Sequence, residues 1–273
     1  MVSLNEKSIK PLDGHDSKLE ETIFNKYREI RKRNKKICDE CQQKEKILND
    51  GHPVSFFVVG ENFRKEKYRV MFVGKTVQSG WEEDEPIDRD SGFIDARIYG
   101  YKLFLPFWGT AGLFPCIKEV CRKLWKINDA EKLWEKIIIT NIVKCSISES
   151  GDQPSKILHE NCILKARFFE TEVRITEPTH IIFFTYTGYD DYIGSLRFGY
   201  SIKDKNLDYK KKLPEEKGKI IWWHRQFLDK GKVKIHFLRT YHPGYFKKQQ
   251  EQEQFANEIA KWIKKNPTTA MAG

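Results

Sequence analysis

Five apolar runs separated by helix-period segments and long polar stretches constrain the fold of this chain more than any other feature. The runs are "VSFFVV" (54–59), "YRVMFVG" (68–74), "KIIITN" (136–141), "HIIFFT" (180–185) and "VKIHFLRTYHP" (233–243). Each is rich in β-branched and aromatic residues and bounded by charged or turn-forming ones, as buried strands are. Helical patterns lie around Ala111 to Lys126, Ser155 to Glu172 and Gln249 to Lys265. Strands joined through helices pair in parallel, so the expected architecture is a three-layer α/β/α sandwich around a central, mainly parallel sheet.

Ahead of the first run, Leu19, Ile23, Tyr27, Ile30 and Ile37 recur at helical spacing between Ser17 and Asn49. The expected organisation is therefore an N-terminal helical segment, residues 1–50, packed on a main domain, 51–266, with a disordered tail, 267–273. A chain of 273 residues is long enough to bury one full core. The stretches "WEEDEPIDRDSGFIDARIYGYK" and "KDKNLDYKKKLPEEKGK" lack periodicity and read as loops, and long loops in a compact domain often carry function.

Charge narrows the partners. Lys and Arg number 49 against 39 Asp and Glu, a formal +10, which favours a polyanion such as nucleic acid. Aromatics make up 13% of the chain, and rings interleaved with cations suit base stacking beside phosphate contacts. No run is long enough to cross a bilayer, and the start "MVSLNEKSIKPLDGHDSK" lacks the apolar centre of a secretory signal, so a cytoplasmic protein without membrane contact is expected. In a reducing compartment the six cysteines are read as thiols or metal ligands rather than disulfides.

Their spacing matters more than their number. Cys38 and Cys41 form a C-x-x-C; Cys145 ends "NIVKC" and Cys162 lies in "HENC". Two local and two distant thiolates can close a tetrahedral site for zinc or a [4Fe-4S] cluster. This pattern resembles that of the iron–sulfur uracil-DNA glycosylases, family 4 of the uracil-DNA glycosylase superfamily, where a C-x-x-C is followed by a cysteine ending a "TNVVKC"-like strand and another in an "E-x-x-C"-like helix start. "PFWGTAG" stands where that family has "PFVGPAG", "TYHPGYF" where it has "TYHPSYL", and "VMFVGKTVQSGWEED" where it has a strand followed by "GEAPG". The likeness spans Cys38 to Phe246 and leaves Cys116 and Cys121 as ordinary thiols.

The resemblance implies a monomeric enzyme that flips a nucleotide out of DNA and hydrolyses its N-glycosidic bond. It implies a [4Fe-4S] cluster, with zinc the alternative, on Cys38, Cys41, Cys145 and Cys162. Phe107 matches the ring on which the base stacks, Asn141 the amide that reads its edge, and His242 the imidazole that steadies the leaving anion. Tyr245 or Phe246 is expected to press into the duplex as a wedge, and Lys247 adjoins it as a DNA contact.

One position departs from the family. Its catalytic carboxylate follows the glycine of "GEAPG", and here that place belongs to Lys75. A cation beside a developing oxocarbenium is unfavourable, so three substitutes compete. An acid from Glu82, Glu83, Asp84, Asp90 or Asp95 folds back; Gln78 or Thr76 orients water; or Lys75 attacks the sugar as an amine. Val77 and Gln78 replace the proline and second glycine of "GEAPG", and with the insert from Trp81 to Lys102 they imply a remodelled pocket. A modified pyrimidine, such as those of chemically altered phage genomes, then becomes as good a substrate as uracil, which points to antiviral defence as well as repair. From another class comes a catalytically inactive iron–sulfur protein that binds damaged or single-stranded DNA, and a further reading is a zinc-stabilised RNA-binding or tRNA-processing module.

Overall fold

The computed structural model describes residues 14–44, 58–75, 113–145, 155–205, 211–212, 219–220, 222–246 and 248–268. The first described elements are two helices, α1 (Ser17–Arg33) and α2 (Lys35–Lys44), parted at Asn34. Asp16 caps α1 by accepting from the Leu19 N–H at 3.0 Å. There follow β1 (Val58–Val59), β2 (Val70–Gly74), α3 (Phe114–Trp125), α4 (Ala130–Trp134) and β3 (Ile137–Asn141). Next, α5 (Lys156–His159) runs into a π-helical segment, Glu160–Ala166, and α6 (Phe168–Thr176) leads to β4 (His180–Phe183). After α7 (Asp190–Ser195) come β5 (Ser201–Lys205), β6 (Lys211–Lys212), β7 (Lys219–Ile220), β8 (Trp223–Asp229), β9 (Lys232–Arg239) and α8 (Gln249–Lys265).

Seven strands form one sheet in the order β1-β3-β2-β4-β9-β8-β5. The four central strands, β3, β2, β4 and β9, are mutually parallel, and β1, β8 and β5 add antiparallel edges. Each central strand places successive apolar residues on opposite faces, because side chains alternate along an extended chain. Met71, Val73, Ile138, Ile181, Phe183 and Phe237 pack beneath Ile23 and Tyr27 of α1 and Phe169 and Val173 of α6. Val70, Phe72, Ile137, Ile139, Ile182 and Leu238 pack against Ile117 and Val120 of α3 and Ile259 and Ile263 of α8. The protein is thus a three-layer α/β/α sandwich.

Helix α1 packs on the sheet beside α6, with Ile23 and Tyr27 fully buried. Several expectations are corrected. Within the run 54–59, Val58 and Val59 pair antiparallel with β3. β8 escapes a hydropathy reading because His224, Arg225 and Gln226 interrupt it, yet all three are buried. Its hairpin with β9 turns through Lys230 (φ 48°) and Gly231 (φ 78°), the two positive values a type I′ turn needs. The basic stretch read as a loop provides the end of β5 and the β6–β7 ribbon.

Of the expected disordered tail, Pro267 and Thr268 are packed against the fold, and 269–273 lie outside the described residues. His180 Nε2 bonds the Asn266 carbonyl at 2.8 Å, His236 Nε2 bonds the Pro267 carbonyl at 3.2 Å, and Thr268 is buried. Among the described residues no helix is long and apolar enough to cross a membrane.

Candidate functional site

Because the four central strands run in parallel, their carboxyl ends open on one edge of the sheet, where α/β proteins bind ligands. The exits are Lys75 after β2, Asn141 at the end of β3, Thr185 beyond β4, and His242 beyond β9. At strand spacing, the exits of β3 and β9 stand roughly 14 Å apart, with those of β2 and β4 between them. Thr185 is buried, and its hydroxyl has no hydrogen-bond partner among the described residues.

Asn141 is buried over Gly74, its register partner on β2. A Cβ at Gly74 would lie 2.2 Å from Asn141 Oδ1, so only glycine leaves room for the amide. The loop beyond is zipped to the neighbouring exit, with Ile142 N–H donating to the Gly74 carbonyl and Val143 N–H to that of Lys75, each at 3.0 Å. Lys75 itself is buried, its residue 8% exposed.

Lys144 holds this loop from below. Its ammonium is fully buried against Glu172 at 2.5 Å, donates to the Thr140 hydroxyl at 2.7 Å, and also bonds the Asn141 carbonyl. The rings of Phe169 and Tyr27 lie 5.6 and 5.9 Å from Nζ. Burial drives the Lys144 pKa well down and that of Glu172 well up. The pair carries no net charge wherever its proton sits, so loss of either partner strands the other.

The same loop ends at Cys145, which shares the α1–α6 side of the core with Cys38, Cys41 and Cys162. Burial raises the Cys38 and Cys145 thiols and pushes Cys162 up to about 12. Neighbouring thiols add to the rise, Cys145 feeling Cys162, Cys38 and Cys41 together. Arg31 opposes it at Cys38 and Cys145. Lys144 N–H donates to Cys162 Sγ at 3.3 Å and Asn161 Nδ2 to Cys41 Sγ at 3.2 Å. The π-helical segment carries both Asn161 and Cys162 towards α2, and such segments recur at functional sites. Four thiols with N–H donors and an arginine nearby form a donor set suited to a thiolate-bound centre. Among the described residues, though, no three His, Cys, Asp or Glu are drawn to metal-holding spacing. Cys116 and Cys121 sit on α3 in the opposite core, where burial holds their pKa high.

Beyond β9, Gly244 N–H donates to His242 Nδ1 at 3.1 Å. A backbone amide can only donate, so Nδ1 accepts, and the proton of the neutral ring sits on Nε2. A Cβ at Gly244 would lie 3.0 Å from Nδ1, so a side chain here would press on the His242 ring. Tyr245 is 57% exposed, whereas Phe246 is buried with its ring 4.7 Å from that of Phe255. Phe246 is therefore a core residue and no wedge, because α8 draws it inward. Nearby, Arg239 donates to Asp190 at 2.6 Å, and burial raises the Asp190 carboxyl against that pull.

The structure thus brings Asn141, Lys75 and His242 to one edge and places Cys38, Cys41, Cys145 and Cys162 on the α1–α6 side of the core, short of metal-holding spacing. Gln78, Glu83, Phe107 and Lys247 lie outside the described residues, as do Thr76, Glu82, Asp84, Asp90 and Asp95. Gly74, Lys144, Asn161 and Glu172 join the site through the fold and not through any motif. A lysine inside "IIITNIVKC" and a glycine closing an apolar strand were the signals for two of them.

Fold and site together define an α/β protein with a polar strand-end edge and a neighbouring thiol group. Comparison with known protein families finds none that matches the chain, and comparison with curated proteins finds no match either.

Proposed function

We propose that this protein is an intracellular, monomeric DNA glycosylase of the uracil-DNA glycosylase kind, releasing uracil or a modified pyrimidine and leaving an abasic site. One observation carries the reading: a single strand exit, Asn141 to Cys145, seats an amide over Gly74 and ends in a thiol on the same side of the core as Cys38, Cys41 and Cys162. Asn141 pairs with the edge of the everted base, and a fixed amide rejects a wrong base by leaving buried groups unpaired. His242 presents Nε2–H as the donor that steadies charge on the departing ring. Cys38, Cys41, Cys145 and Cys162 are the residues that would hold a [4Fe-4S] cluster, which would supply a crosslink between α2, the β3 exit and the π-helical segment.

The test is an excision panel on uracil- and modified-pyrimidine oligonucleotides, followed by hot alkali to break strands at abasic sites. Wild type is expected to cut, and His242→Ala and Asn141→Asp to lose most of that activity. Lys75→Ala separates amine attack, which it abolishes, from a water mechanism, which it spares. The protein as isolated is expected to be brown with visible absorption that Cys162→Ala removes; a colourless zinc protein argues for the other centre.

A second reading is favoured by Lys75, a buried lysine where the family that the sequence resembles has its carboxylate. It makes the chain an inactive iron–sulfur protein that binds damaged or single-stranded DNA. Binding without strand breaks anywhere in the panel selects it.

A further inference from the structure

Tyr186 holds a backbone conformation that tyrosine rarely adopts. Its φ of 59° and ψ of −176° lie in a region populated almost entirely by glycine. No glycine relieves it, and the strain is held by the bond from Tyr186 N–H to the Thr240 carbonyl at 3.1 Å. The effect is to bring the exits of β4 and β9 together, and with them three rings. Tyr186 lies 4.8 Å from Tyr241 and 6.1 Å from Tyr245, and Tyr241 lies 6.2 Å from Tyr245. Tyr186 and Tyr241 are half-buried, while Tyr245 is the one large hydrophobic side chain among the described residues that is mostly exposed. Tyr241 and Tyr245 flank His242 in the chain.

We infer that Tyr186, Tyr241 and Tyr245 form a stacking platform for an unpaired nucleobase of the strand being read, next to the nucleotide at the strand-end edge. This rests on the nucleic-acid part of the function proposed above and adds a preference for single-stranded or locally unpaired substrate. The group is wholly aromatic and carries phenolic hydroxyls, so it suits a flat ring with a polar rim better than an aliphatic protein surface. The chain's formal +10 favours the polyanion that brings such rings. Stacking on tyrosine is indifferent to base identity, so the platform supplies affinity and strand state, leaving identity to Asn141. The strain at Tyr186 is explained as the cost of aiming one ring at the other two.

Binding of the full chain to a labelled single-stranded oligonucleotide and to its fully paired duplex is measured by fluorescence anisotropy for wild type, Tyr186→Gly, Tyr245→Ala and Tyr245→Trp. Excision and thermal midpoints are recorded in parallel. Tyr186→Gly and Tyr245→Ala are each expected to weaken single-strand binding by about 5- to 150-fold, the range for one stacked base. The loss on duplex is smaller by at least fivefold, and Tyr245→Trp restores binding. Tyr186→Gly is expected to melt no lower than wild type, because glycine relieves the backbone. An abasic spacer walked along the strand should cost the same factor at one position, where Tyr245→Ala adds nothing further.

Unchanged single-strand affinity in both variants, or a lower midpoint for Tyr186→Gly without loss of affinity, overturns the platform and reduces the rings to packing. If excision persists in that case, the glycosylase reading stands alone. If the tyrosine-dependent affinity appears without excision, the platform stands and catalysis falls. Equal losses on single strand and duplex also overturn it, marking the rings as a wedge or a protein-docking patch.

Discussion

Gly74 and Asn141 show how closely one residue's absence of a side chain sets another's position. With a Cβ only 2.2 Å from Asn141 Oδ1, Gly74→Ala has to push the amide aside. We expect it to cost about 1–3 kcal/mol in stability, as overpacking does. Excision should fall about 100-fold, the scale of an ångström's misplacement in a reacting site. Thermal unfolding and kcat/KM on the best substrate check the two halves separately. Lys144 and Glu172 make a second residue-scale case. Lys144→Met strands a buried carboxyl and should cost about 3–5 kcal/mol, whereas Lys144→Met with Glu172→Leu should cost less than the single change. A double-mutant cycle by urea unfolding measures the difference. Asn141, His242 and the four cysteines were legible in sequence because strand ends and repeated cysteines leave local marks. Glu172 left none: on a helix it reads as a solvated acid, and only the fold places it under Lys144.

At the scale of elements, β4, β9 and β8 bury three histidines against α8. His180 and His236 stack at 5.5 Å, His224 Nε2 meets His236 Nδ1 at 3.1 Å, and all three rings pack on Trp262 of α8. Burial, reinforced by His236 and His224, lowers the His180 pKa from 6.5 to about 3 against the opposing bond to the Asn266 carbonyl. Below pH 6.5 the unfolded chain therefore takes up a proton that the folded one refuses. Stability from this group is complete above that value and declines as pH falls towards about 3, by at most about 1.4 kcal/mol per pH unit. Urea midpoints from pH 7 to pH 4 should show the decline, and His180→Gln should flatten it. These strands also show where periodicity fails. β9 is apolar and legible, but its partner β8 hides behind three polar residues whose burial depends on neighbours distant in sequence.

For the whole molecule, the formal +10 is the property with the widest reach. If nucleic acid is the partner, affinity should fall at least tenfold from about 50 to about 200 mM salt through counterion release, for duplex and single strand alike. Anisotropy titrations at several salt concentrations check this, and a flat response speaks against phosphate contacts. The sequence alone determined the layered α/β architecture and the parallel centre of the sheet, because alternating apolar runs and helical periods leave few ways to bury both faces. It also marked Asn141, His242 and the cysteines. Only the tertiary structure decided that Phe246 belongs to the core, that Lys144 braces the β3 exit, and that three tyrosines meet beside His242. Those outcomes depend on which elements become neighbours, and burial, pairing and strain are properties of neighbours that no local stretch of chain contains.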